Sequence, residues 1–396
     1  MPGGSRYRIL SLDGGGTWSI VEVRALMRLF GDDARGHDVL REFDLAAANS
    51  AGSIVLAGLI EDTPLRGLLA DLLDPEVRGR IFRPTIWNRL GVAGFLPRWS
   101  AAEKPKGLAL QIPEMGGKRL DEIPALIGGR RPQILIIGFD YDRLRATFFR
   151  SDPASRAANL TPFWTTTLLQ AVDASSDAPV RYFDAPVTIR DDDGLAHRYW
   201  DGGVGGYNNP VLAAVTEALA NGHARDAIDV LSIGTGSTLR PLANAGVEPP
   251  LGEPIEDQSL VHDFEKLAAA ILDDPPDAAS FIAHVALGGD LPAKPGEAAR
   301  NCPIVRMNPV ARPVREGDAW VLPRDSKLKR DFARLVDLDM DVVAQPDVEL
   351  VDRFAAEWCD DIWPNQAIRS GADFACEVGH ASFGAAAKAW QERIGR

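Results

Sequence analysis

Two strand–turn–helix passages within the first 60 residues constrain this chain more than any other feature. The apolar run Tyr7 to Leu12 ends in Asp13-Gly14-Gly15-Gly16-Thr17. Apolar residues then recur at Ile20, Val23, Met27 and Phe30, a spacing of three or four that marks a helix. A second run, Phe43 to Ala48, meets Asn49-Ser50-Ala51-Gly52 and continues into an apolar helix, Ser53 to Ile60. A chain that repeats strand, tight turn and helix is expected to build a parallel α/β sheet. Further strands are predicted at Gln133–Phe139, Ala146–Arg150 and Ile228–Ile233, the last a mainly apolar run beside a glycine turn, as a central parallel strand should be.

Helical patterns follow at Leu260–Leu272, Ala278–Leu287, Leu328–Val336, Glu349–Ile362 and Phe383–Ile394, with Pro-rich connectors near 291–324. The expected organisation is a core over 5–240 and a mainly helical C-terminal completion of the same domain over 241–396. Composition fits a globular protein, with 45% hydrophobic and 25% charged residues in 396. The net charge of −13 argues against nucleic acid as a partner. Three cysteines, Cys302, Cys359 and Cys376, are too few for a disulfide framework and suit a reducing compartment. No run reaches the roughly 18 apolar residues of a membrane span, and Met1 to Arg8 lacks a secretory apolar run. A cytoplasmic protein is expected, with room for peripheral contact at the inner membrane face. Oligomeric state is not legible.

Three consecutive glycines between strand and helix expose backbone N–H groups that bind negative charge, either a phosphate or the oxyanion of an acyl transfer. The spacing matches neither the dinucleotide fingerprint nor the P-loop. Ser50 sits where a nucleophile elbow would place its serine, with Gly52 two residues on and Ala48 in place of the usual first glycine. None of the six histidines has a context that would present it to Ser50. Asp201, which opens Asp201-Gly202-Gly203-Val204-Gly205-Gly206, is the better candidate base. No His/Cys cluster has metal-ligand spacing, and neither metal nor cofactor is expected.

Together these motifs resemble the patatin-like phospholipase family, which shows D-G-G-G-x-R, G-x-S-x-G and D-G-[GA] in that order. Asp140-Tyr141-Asp142-Arg143, Ala174 to Pro179 and Ser232 to Gly236 agree in style, so the resemblance spans about 7–236. It implies a three-layer α/β/α fold with a central, mostly parallel sheet, and an acyl-lipid ester as substrate. It also implies a Ser50–Asp201 dyad and an oxyanion hole at Gly14, Gly15 and Gly16. Trp18 and Ser19 depart from the family's arginine and the glycine after it, as Ala48 departs from the elbow pattern.

Between Glu76 and Arg119 the charge reverses, with nine basic residues against three acidic. The same stretch holds Trp87, Phe95 and Trp99, and is expected to form a lipid-facing rim or lid in transient contact with a membrane surface. Two other readings compete. One is a non-catalytic lipid-binding or interaction protein on the same fold. The other is an actin-like sugar kinase, whose first phosphate loop Leu12 to Thr17 also resembles, although that loop joins two hairpin strands.

Overall fold

The computed structural model describes residues 6–89, 96–157, 166–191, 193–243, 247–255, 259–294, 297 and 299–395. The strands that matter here are β1 (Tyr7–Leu12), β2 (Leu45–Asn49), β3 (Gln133–Asp140), β4 (Arg145–Arg150), β5 (Val187–Arg190), β6 (Ala196–Asp201) and β7 (Ile228–Ile233). Two short strands, β8 (Ser237–Thr238) and β10 (Val310–Ala311), pair in parallel, and between them in sequence lies β9 (Ile304–Met307). The main sheet runs β5-β6-β3-β2-β1-β7-β9, with β4 also paired to β3. Its middle, from β3 through β2, β1 and β7 to β9, is parallel.

Alternation along these strands divides the core into two layers. Leu10, Leu12, Ala46, Ala48, Ile134, Ile136 and Ile233 pack with helices Ile20–Phe30, Ser50–Ile60 and Leu168–Ser175. Ile9, Leu45, Ala47, Leu135 and Val230 face the other way, onto helix Val211–Ala220 and the C-terminal part of helix Leu260–Ala286. Strands buried on both faces are mostly apolar, and the buried polar residues of β7 are paired, Asp229 with Arg6 and Ser232 with Arg306. The result is the expected mixed α/β fold with a central sheet between helical layers. Because β1 enters a helix and pairs in parallel on both edges, it lacks the hairpin that the sugar-kinase reading requires.

The sequence expectation for the C-terminal third needs correction. β9 falls within the stretch expected to be Pro-rich connector, and it extends the main sheet beside β7. The two helices expected over 260–287 are one, Leu260–Ala286, with Pro275 and Pro276 inside it. β5 and β6 were also unexpected, although β6 alternates exposed and buried residues up to a buried Asp201.

β3 acts as a splint for the two site-bearing strands. β4 runs along its residues 135–140, so β2 and β6 must share the opposite edge. β2 pairs as far as Asn49↔Ile137, and β6 begins at Asp201↔Gly138. The end of β2 and the end of β6 therefore meet on adjacent positions of one strand, 152 residues apart in sequence.

Candidate active site

Three turns leave the carboxyl ends of neighbouring strands, since Leu12 pairs with both Ala48 and Ile233. This is where ligands bind in parallel sheets. Ser50 ends the β2 turn with φ of +50°, a left-handed conformation that costs a non-glycine residue about 1–3 kcal/mol. Gly52 allows the turn to be this tight. A Cβ there would fall 2.6 Å from the Leu12 carbonyl oxygen and closer still to that of Asp13.

Ser50 lies close enough to the Asp201 carboxylate for its hydroxyl to help hold the charged form. Asn49 Nδ2 donates to Asp201 Oδ1 at 3.0 Å, and the Gly203 N–H donates to the same oxygen at 2.7 Å. The Ser50 N–H is held by Ser175 Oγ at 2.9 Å. Asp201 is buried, and burial raises its pKa above the ordinary carboxylate range; the bonds from Ser50, Gly203 and Asn49 and the charge of Lys104 oppose that rise. No histidine lines the site among the described residues.

The glycine turn is fastened on several sides. The Gly14 N–H donates to the Asn208 carbonyl at 2.8 Å, and the Gly14 carbonyl accepts from Thr235 Oγ1 at 2.8 Å. That bond corrects the expectation for Gly14, whose N–H is already committed. Among the described residues, the Gly15 and Gly16 N–H groups have no acceptor. Thr17 donates through its N–H to Met340 O at 2.9 Å and through Oγ1 to Val342 O at 2.6 Å. Trp18, where the family has arginine, donates Nε1 to Asp339 O at 3.1 Å and packs edge-on to Phe354. The departure thus anchors a C-terminal strap, residues 339–342, across the glycine turn.

Arg306, from β9, was not singled out by sequence reasoning. It donates Nη2 to Asp13 Oδ2 at 2.6 Å and Nη1 to Ser232 Oγ at 2.9 Å, joining the first residue of the glycine turn to β7. Both charges are buried. Arg306→Met strands the Asp13 carboxylate and is expected to cost about 3–5 kcal/mol, as loss of one partner of a buried pair does. Urea unfolding of wild type and variant measures it; a loss under 1 kcal/mol contradicts the assignment.

Above Ser50 opens an apolar cleft walled by Ile54, Leu72, Val77, Ile81, Phe82 and Phe183. Lys104 lines it too, yet is 0% exposed: its ammonium donates to Asp177 Oδ1 at 2.6 Å and Asp173 O at 2.8 Å, and lies 4.5 Å over the Phe183 ring. Burial pushes Asp177 up to about 7 despite the pull of Lys104.

The lipid-facing expectation needs a further correction. Trp99 is 7% exposed, donates Nε1 to Asp341 Oδ2 at 2.7 Å and packs edge-on to Phe82, so its side chain is part of the interior. Phe95 and the side chain of Trp87 lie outside the described residues. Of the nine basic residues between Glu76 and Arg119, Arg78 and Lys104 are buried beside the cleft, and Arg98 is paired with Asp339 and Asp341. The charge reversal is therefore partly internal. Among the described residues of that stretch, Ile86, Leu96 and Leu110 are the exposed large apolar side chains, at 66%, 40% and 61%.

Residues 10–215 match the patatin-like phospholipase family. An intracellular phospholipase A2 of Caenorhabditis elegans is 26% identical over 249 residues, 59% of this chain and 20% of that protein. The chain thus spans about a fifth of the length of that curated relative. Among solved structures, VipD from Legionella pneumophila aligns with a TM-score of 0.35 and 10% identity, over 89% of this chain and 67% of that one. Human GIVD cytosolic phospholipase A2, in complex with methyl gamma-linolenyl fluorophosphonate, aligns with a TM-score of 0.41 and 9% identity, over 99% of this chain and 60% of that one.

Proposed function

Because the chain belongs to the patatin-like phospholipase family, we propose that it is a serine acyl hydrolase that releases fatty acid from phospholipid or a related acyl-lipid ester. The observation that carries this reading is the placement of Ser50, on a strained turn at an apolar cleft, beside a buried Asp201. The cleft takes the acyl chain. Ser50 Oγ attacks the ester carbonyl as its proton passes to Asp201. The tetrahedral oxyanion is held by the Gly15 and Gly16 N–H groups, and by the Ala51 N–H at the start of the elbow helix. The intermediate collapses, the ester C–O bond breaks, and the leaving alkoxide takes the proton from Asp201. Water then attacks the acyl-enzyme and gives its proton to Asp201, which returns one to Ser50 as the fatty acid leaves.

The raised pKa of Asp201 sets the acid side of the pH profile. The base must be a carboxylate, so activity is lost as pH falls through its folded pKa. With that value raised, kcat/KM on a soluble short-chain ester should decline above the ordinary aspartate range near 3.9. A profile flat down to pH 4 contradicts Asp201 as base. Exposed Ile86, Leu96 and Leu110 support contact with a lipid surface.

A fluorophosphonate probe tests the reaction class, and product profiling from mixed phospholipids tests the substrate. Labelling confined to Ser50 with fatty acid release supports the reading. Lipid binding without labelling or release, under any activating condition, favours a non-catalytic binder instead.

A further inference from the structure

Two cationic side chains line the cleft, and they differ in how their charge is met. Lys104 is matched by Asp177 and Asp173. Arg78 is not. It is 4% exposed and donates Nη1 to Leu72 O at 2.9 Å and Nη2 to Gln345 Oε1 at 2.6 Å, both neutral acceptors. Its Nε is buried without an acceptor. Among the described residues no carboxylate pairs with it. Asp341, also on the cleft, is engaged by Arg98 and Trp99; Asp71, on the cleft as well, makes no pair with Arg78.

A guanidinium carries five N–H donors, and two are spent here. The two neutral acceptors fix its plane but do not compensate its charge. Burial lowers the Arg78 pKa, opposed only by the charge of Asp74, with which it makes no ion pair. A purely structural clamp between Leu72 and Gln345 would need only a neutral donor. What Arg78 lacks among the described residues is a bonded anion, and a planar fork with remaining donors suits a tetrahedral oxyanion.

We infer that Arg78 forms an anion subsite within the cleft, taking the phosphoryl group of a lipid whose alkyl chain lies along the apolar wall. This rests on reading the cleft as the acyl-binding site, and it adds a specificity residue on an element the catalytic motifs do not touch. Arg78 would favour phosphate-bearing over neutral acyl lipids.

Binding by the full chain tests it without requiring turnover. Isothermal titration with monomeric decyl phosphate, decanoate and decanol compares three heads on one chain length. Wild type should bind decyl phosphate at least about tenfold tighter than decanol, consistent with one charge-assisted contact. Arg78→Gln should lose that preference with decanol affinity unchanged, and Arg78→Lys should keep part of it. Urea midpoints of both variants establish that they are folded. No preference in wild type, or a preference that survives in Arg78→Gln, overturns the subsite. Decanoate binding as tightly as decyl phosphate overturns the phosphoryl assignment. Inorganic phosphate displacing decyl phosphate at equal concentration overturns the lipid assignment. Absence of hydrolysis would sink the hydrolase reading yet leave this binding result standing.

Discussion

Ser50→Ala should abolish fluorophosphonate labelling and lower kcat on a soluble ester by at least ~10⁴-fold. That is the scale seen when a serine nucleophile is removed while the oxyanion donors remain. The variant keeps the Cβ, so it keeps the strained φ of +50° and folds as wild type does. Ser50→Gly separates the two roles. Glycine accepts a left-handed backbone freely, so this variant should be equally inactive but more stable by roughly 1 kcal/mol. Activity measured beside urea midpoints gives both numbers. If Ser50→Ala retains more than a few per cent of wild-type turnover, the nucleophile lies elsewhere.

Asp201→Asn should cost ~10³–10⁴-fold in kcat with little change in stability, the magnitude typical of a base-side carboxylate turned amide. The reason is directional. Asn49 Nδ2 and the Gly203 N–H both donate to Oδ1, so the amide oxygen of an introduced asparagine keeps that place. Its NH₂ then takes the other, so no oxygen is left that can receive the serine proton. The hydroxyl keeps its neighbour but loses its acceptor. Folding does not suffer, because a buried carboxylate with a raised pKa gives way to a neutral group of the same shape. Fluorophosphonate labelling should slow in parallel. Labelling at the wild-type rate would remove Asp201 from the role of base.

Much of the site was legible because each motif lies in a local context that dictates it. The turn after β1 and the elbow after β2 announce themselves by an apolar run, small residues and a helical period within about 20 residues. Ile228–Ile233 and Phe383–Ile394 fall where their periodicity placed them. Asp201 was legible as a residue but not as the end of a strand. β6 pairs with residues 138–140, and its half-exposed alternation is a weak signal beside the glycines that follow it. β9 is four residues long and takes its register from β7, which no short-range pattern reveals.

The lipid-facing reading of Trp99 shows the limit of composition. A tryptophan near arginines suits a membrane interface and a buried hydrogen bond equally well, because its indole has an apolar body and a polar edge. Asp341 settles it, from 242 residues away. Arg98 follows the same pattern, its charge met by Asp339 and Asp341. Net charge over a segment counts residues and cannot see which are internal.

By itself, then, the sequence determined the parallel α/β class, the two turns at adjacent strand ends and the pair Ser50 and Asp201 as candidates, since those depend on local period and backbone sterics. Only the tertiary structure decided how they meet. β3 sets the ends of β2 and β6 side by side, Arg306 and the 339–342 strap hold the glycine turn from the far end of the chain, and Arg78 is left buried with no paired carboxylate among the described residues. Each of these is a contact between residues distant in sequence, and its energy comes from burial and pairing that exist only once the chain has closed on itself.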